Sequence, residues 1–355
     1  MKKTFFILIL SVVNSISFGQ NRVDAEKLVD EGVAYHDKED FKGAIAKYDE
    51  ALKLDKDNLL AMTEKALTLF SLQKYEDAIE YCAKAIEKYP GDNSLKSVYV
   101  TYGNALDALK KVGQSIEIYN KGIKQFPVYY QLHFNKGITL TGIPKYDEAM
   151  VSFQQAALIN PKHASSHNAI GWISNINNQR IPSLLAYCRF LVIEPQGNRA
   201  KENLIIIKKI MGGNVEETSN KSITINIDSD ILNDSNKKGK RKENNFSTTD
   251  MILSMSAGLN FDEGNKKKTE VQRFISNFET VCASLKETSK GSFGFFWDYY
   301  APYFIAMKDN NLIEPFAYII FGSSDKPDIA TWLASNKAEV DKFLEWSDSF
   351  IWKTN

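Results

Sequence analysis

KYEDAIEYCAKAIEKYP, residues 74–90, decides the fold. Ala78 and Ala85 are small residues set among tyrosines and charges, and Pro90 closes the run. Two helices approach to roughly 8–10 Å only where the residues in contact are small. Cys82 is sized to fill the gap beside the alanines. Proline cannot continue a helix, so it turns the chain. The stretch predicts one helix, closely packed on a partner, with its own stop signal.

The same grammar recurs along the chain. Ala44 precedes Ala78 by 34 residues, and Ala51 precedes Ala85 by 34. Tyr146, Ala149, Phe153 and Ala156 repeat the theme. Pro90, Pro127, Pro161 and Pro195 are 37, 34 and 34 apart, and Gly103, Gly137 and Gly171 are each 34 apart. This period and its small-residue pattern resemble the tetratricopeptide repeat family over residues 25–195, about half the chain. The resemblance implies an all-α superhelix of about five helix-turn-helix units. Gly32, Ala66, Gly103, Gly137 and Gly171 then sit in helix A, and Ala44, Ala78, Ser115, Ala149 and Ser183 open helix B. Tyr48, Cys82, Tyr119, Phe153 and Tyr187 pack beside them.

The units are not identical. The first has Lys56 in the proline slot, three extra residues enter the third, and the fifth has Phe190 in a small-residue slot and Pro182 at the start of helix B. Terminal repeats depart from pattern where they meet solvent or another domain. Residues 198–211, NRAKENLIIIKKIM, are expected to form a capping helix over the last unit.

In this family helix A lines the concave side. Helical periodicity places Glu26, Val29, Asp30, Val33 and Asp37 of the first unit there, and Leu60, Thr63, Glu64, Leu67 and Phe70 of the second. Val100, Thr101, Asn104 and Asp107 follow, then Phe134, Asn135, Ile138 and Thr141, and then Asn168, Trp172 and Asn175. These slots hold almost no basic residues, which argues against gripping a terminal carboxylate. The amides of Asn104, Asn135, Asn168 and Asn175 suit the backbone of an extended peptide. Phe70, Phe134 and Trp172 are candidate apolar anchors. The competing reading is a solvated polar face with partners bound elsewhere.

The first 19 residues have a basic start, an apolar run from Phe5 to Val13, and small residues around Gly19. That is the pattern of a secretory leader cleaved near Gly19. No cysteine lies near the cut, so the expectation is an exported protein, periplasmic or secreted, that is not a lipoprotein. No further stretch is long enough to span a bilayer. With 44 basic and 44 acidic side chains the formal net charge is zero, which gives no pull toward nucleic acid. Cys82, Cys188 and Cys282 match no zinc spacing.

Residues 212–245 are rich in Asn, Ser, Asp and Lys and predict a linker, with the basic run KKGKRK at 237–242. SITINID, residues 222–228, alternates like a strand but shows no good partner strand. Beyond lies a second helical domain, residues 246–355, with helices expected at 250–258, 268–287, 295–308, 311–321 and 328–352. Eight aromatics crowd FGFFWDYYAPYF, residues 293–304, and suit either a bundle core or an aromatic partner groove.

Metal and catalytic patterns are weak. His163 and His167 share a helix face without a carboxylate partner, and His133 and His167 occupy one slot in consecutive units, so packing is the expected role. No catalytic triad or phosphate loop is present, and no cofactor is implied. The expectation is a non-catalytic adaptor of the bacterial cell envelope that binds proteins or peptides. Two alternatives are a glycan-binding accessory protein using its tryptophans, and an enzyme built on Asp298, Tyr299, Tyr303 and Glu314.

Overall fold

The computed structural model describes residues 21–212, 215–217, 222–225 and 242–353. Residues 1–19, where a leader is expected, and most of the basic run fall outside these residues. The chain divides into two compact units, Met1–Ser152 and Phe153–Asn355.

The first unit is a succession of helical hairpins. Residues 21–36 precede Phe41–Leu54, Leu59–Ser71 precedes Tyr75–Lys88, and Leu95–Ala108 precedes Val112–Gln125. Tyr130–Thr141 leads into Tyr146–Ile159, within which the division falls. Helices B stop at Lys88, Gln125 and Ile159, each two residues before its proline. In the first hairpin, which lacks that proline, Asp55 accepts from the Asp57 N–H at 3.2 Å, and Asn58 caps the next helix by accepting from the Ala61 N–H at 2.9 Å.

Packing between helices A and B follows a size rule. A Cβ on Gly32 would stand 2.3 Å from Tyr48, one on Gly103 2.4 Å from Tyr119, and one on Gly171 2.8 Å from Tyr187. Where helix A carries Ala66, helix B carries the smaller Cys82, and both are buried in one cluster. Ser115 donates to the Gly103 carbonyl at 2.8 Å, and Ser183 donates to the Gly171 carbonyl at 3.1 Å. These serines hold the slot that alanine fills in the other units.

Each A–B turn closes with one bond spanning five residues. The N–H groups of Asp40, Lys74, Lys111, Lys145 and Gln179 donate to Tyr35, Leu69, Leu106, Leu140 and Ser174 at 2.9–3.1 Å. In four of the five turns this bond is the six-to-one link of a Schellman turn, which uses a left-handed residue after the helix. Glu39, Gln73, Lys110 and Asn178 supply it, with φ of 60°, 61°, 60° and 54°.

The second unit contains Ala164–Ile176 and Arg180–Ile193, the fifth hairpin, then Asn198–Met211. Asn198–Met211, where a capping helix is expected, is a helix and buries Ala200, Leu204, Ile207, Ile210 and Met211. Arg180–Ile193 is buried on every face from Ile181 to Val192, which accounts for the apolar departures of this repeat. Helices Ser247–Gly258 and Ile313–Ile320, with the Phe296–Tyr300 turn, pack against it.

Three expectations beyond the repeats are corrected. The strand has a partner: Ile223–Ile225 pairs antiparallel with Val215–Glu217, Thr224 opposite Glu216. Residues 226–228 of the expected strand lie outside the described residues. Residues 295–308 are not one α-helix, because Phe296–Tyr300 forms a wider π turn before Ala301–Asp309. Pro302 has no N–H to give, and Ala301 N–H donates to the Phe296 carbonyl instead. The helix expected over 328–352 breaks into Pro327–Ser335 and Lys337–Ser349. At the break, both the backbone N–H and the side-chain amide of Asn336 donate to the Trp332 carbonyl at 2.9 Å.

Candidate functional site

In the first unit, helix Leu59–Ser71 turns Leu60, Glu64, Leu67 and Phe70 to one side, at spacings of three and four. Leu60 is 47% exposed and Leu67 40%, while Ile138 of Tyr130–Thr141 is 45% exposed. Phe70 is half-buried, with its ring 5.5 Å from that of Tyr75. Burial pushes the Glu64 carboxyl above the usual carboxylate range, a shift that His36 opposes and Asp37 reinforces. His36 in turn shares a 2.7 Å hydrogen bond with Thr68, tying the first two helices A together. Val29 and Thr101, expected to face the groove, are buried instead. Val29 packs with Ala25, Ala44 and Tyr48, because the helix A face toward its own helix B is wider than the slots allowed.

Three of the asparagine amides are engaged within the fold. Asn104 accepts from the Tyr119 hydroxyl at 2.6 Å, and Asn135 donates to the Gln131 carbonyl at 2.8 Å. In the second unit Asn168 accepts from Asn203 of the capping helix at 2.6 Å. Phe134 is half-buried. Asn175 is exposed, and Trp172, one helical turn before it, is 40% exposed.

The histidines have packing roles. His133 Nε2 lies 2.9 Å from the Pro127 carbonyl and His167 Nε2 lies 3.0 Å from that of Pro161. The same ring therefore bonds the same proline carbonyl, six residues back, in two successive units. A carbonyl only accepts, so Nε2 of His167 carries the proton and Nδ1 accepts from the Tyr300 hydroxyl at 2.7 Å. Among the described residues, no group of three or more His, Cys, Asp or Glu side chains is placed to hold a metal ion. The three cysteines are buried free thiols.

Most of the C-terminal aromatics form a core. Trp297 stacks on Phe246 at 4.2 Å and donates to the Asn245 carbonyl, and Trp332 stacks on Tyr318 at 3.8 Å. Trp346 and Trp352 both pack on Tyr303, at 5.1 and 4.9 Å. Of the four residues considered for catalysis, Asp298 and Glu314 are exposed. Tyr299 and Tyr303 are buried, with hydroxyls bonded to the Ala157 carbonyl and to Ser347. The four do not converge.

Sequence reasoning missed Arg189. It is 2% exposed, donates to the Pro161 carbonyl and Ser347, and lies 4.7 Å from the Trp352 ring and 5.2 Å from that of Tyr303. Its signal was a lone charge inside the apolar run LLAYCRFLVI.

Comparison with known proteins agrees with the repeat geometry. Residues 29–93 match the family model described as tetratricopeptide repeat. The Protein STIP1 homolog of Dictyostelium discoideum is 30% identical over 184 residues, covering 39% of this chain and 30% of its own. The Hsp70-Hsp90 organizing protein of Triticum aestivum is 24% identical over 241 residues, covering 66% of this chain and 41% of its own. The chain thus spans less than half the length of these curated relatives. Among solved structures, Pseudomonas aeruginosa pilF is 15% identical with a TM-score of 0.48, covering 72% of this chain and 98% of that one. Nothing among these matches identifies the C-terminal helices.

Proposed function

We propose, from the premise that residues 25–195 are a tetratricopeptide-repeat array, that this protein is a non-catalytic adaptor of the bacterial cell envelope. It holds an extended segment of a partner protein along the faces of helices A. The observation that carries this reading is the exposed apolar series Leu60, Leu67 and Ile138 on those helices. Scattered single apolar residues need no explanation, but Leu67 and Ile138 hold one helix A slot two units apart, with Asn104 in the unit between, and a recurring exposed slot is what an interaction face requires. In the second unit Trp172, on the fifth helix A, is an exposed candidate anchor in its own right. The relatives named for organising Hsp70 and Hsp90 support a role in joining proteins. The envelope location rests on the leader-like first 19 residues.

A photo-crosslinking side chain placed at Leu67 or Ile138 tests the reading in native envelopes, with Val151 of a helix B, 58% exposed, as the comparison site. The expected result is a partner captured from the helix A positions and identified by mass spectrometry. Capture from Val151 alone would sink it. Leu67→Ala with Ile138→Ala is expected to weaken the same partner by about tenfold, the scale of truncated contact residues.

A further inference from the structure

The first unit contains a cleft of about 700 Å³ beside the two B–A turns at residues 54–60 and 89–94. Leu54, 41% exposed, Leu60, 47% exposed, and the ring of Tyr89 give it an apolar floor. Leu60 belongs also to the exposed face of helix A, so the cleft is continuous with that face.

Its rim is acidic. Glu26, Asp55, Asp57 and Asp92 line it, with Arg22 as the cation among them. Arg22 pairs with Glu26 at 3.3 Å, and Lys88 reaches in to pair with Asp57. Four carboxylates against two cations leave two negative charges uncompensated. Among the described residues, no lysine or arginine stands within ion-pair distance of Asp55 or Asp92. Asp92 accepts from the Ser94 N–H at 2.8 Å, which holds its carboxyl below the usual carboxylate range and therefore ionised at neutral pH.

The helix A slots continue the same sign. Asp30, Asp37, Glu64 and Asp107 occupy them, without a lysine or arginine. A cleft lined by one sign of charge over low-dielectric walls concentrates the opposite charge. An anionic ligand would meet repulsion along this whole path. A bare metal ion has no site here, since among the described residues no three His, Cys, Asp or Glu side chains are placed to share one.

We propose that this cleft receives a basic, apolar peptide segment, lysine or arginine set among leucine-sized residues, as the anchoring end of the partner held by helices A. The proposal rests on the adaptor reading above and adds the chemistry of the segment. Leucine-sized side chains cover Leu54, Leu60 and Tyr89, while the cationic ends meet Asp55 and Asp92 at the rim.

Fluorescence anisotropy with the full chain tests it. Two labelled twelve-residue peptides serve as probes, one alternating leucine with lysine and the other leucine with glutamate. The lysine peptide is expected to bind and the glutamate peptide not to. Asp55→Asn with Asp92→Asn keeps the bonds from the Asp57 and Ser94 N–H groups, gives up the one from the Asn58 amide, and removes the charges. It should weaken the lysine peptide by about fivefold at low salt, the sum of two partly exposed charge contacts. Glu76→Gln with Asp147→Asn removes two acidic side chains at the starts of helices B and should change nothing. Equal binding of both peptides, no binding of either, no effect of the Asp55/Asp92 pair, or an equal effect of the control pair would overturn the proposal. If crosslinks from Leu67 persist after such a result, the helix A face stands and the cleft chemistry alone falls. If those crosslinks fail while the Asp55/Asp92 pair still controls lysine-peptide binding, the cleft stands without the extended groove.

Discussion

Tyr119 fills the space that a side chain on Gly103 would need, its Cε1 lying 2.4 Å from where a Cβ would stand. The two residues set the spacing of the third hairpin as a pair. Gly103→Ala is therefore expected to cost about 1–3 kcal/mol, the scale of overpacking, read from urea denaturation. In a Tyr119→Cys background, which copies Ala66 with Cys82, the same alanine should cost at most a few tenths of that. Equal costs in both backgrounds would mean that the ring does not set the spacing.

His167 makes stability depend on acid. Burial, with Arg189 nearby, holds its pKa down at about 3, against an unfolded value near 6.5. The unfolded chain thus binds the proton first as pH falls. The contribution of the neutral ring is complete above about pH 6.5 and is lost toward pH 3, by up to about 1.4 kcal/mol per unit. His167→Gln should be less stable at pH 7 yet lose less between pH 6.5 and 4.5. Parallel pH profiles of wild type and variant would contradict the assignment.

Arg189 fastens the end of the chain. Among the described residues no carboxylate pairs with it; it is held by the Pro161 carbonyl, Ser347 and the faces of Tyr303 and Trp352. Arg189→Ala should cost about 2–4 kcal/mol from these charge-assisted bonds and ring contacts. The emission of Trp346 and Trp352 should shift to the red as their packing opens. Unchanged emission would show that the aromatic cluster holds without the guanidinium.

Gln73, with φ of 61°, occupies a conformation that costs an ordinary side chain roughly 1–2 kcal/mol. Gln73→Gly relieves that cost and gives back part of it as chain entropy, for a net gain of about 0.5 kcal/mol. Glu76→Gly, three residues later inside the helix, should lose about 1 kcal/mol. Thermal denaturation of the two variants distinguishes them by sign.

The hairpins were legible because their contacts demand particular sizes. Gly103 and Ala78 stand in slots that admit only small residues, and Pro90 in one that stops a helix, so their spacing shows in the sequence. The packing of His133 and His167 was legible for the same reason, since both answer a proline carbonyl at a fixed offset. The turn residues were not. Glu39, Gln73, Lys110 and Asn178 share a conformation but no chemistry, and the fourth unit places Pro144 there instead. Val215–Glu217 is too short to announce itself as a strand. At the candidate site, the slots of Leu60 and Leu67 followed from helical period alone. The internal bonds of Asn104, Asn135 and Asn168 did not, because an amide gives no hint of whether its partner is the fold or a ligand.

Repeat chains lengthen by duplicating a unit whose two faces can each meet another unit. Arg180–Ile193 no longer offers such a face, since side chains from Ile181 to Val192 are covered all round. A duplicated hairpin inserted behind it would leave that apolar helix against a neighbour shaped for something else. Evolution or design can add units to this array only ahead of the fifth, so the proposed binding face has its freedom to vary on one side.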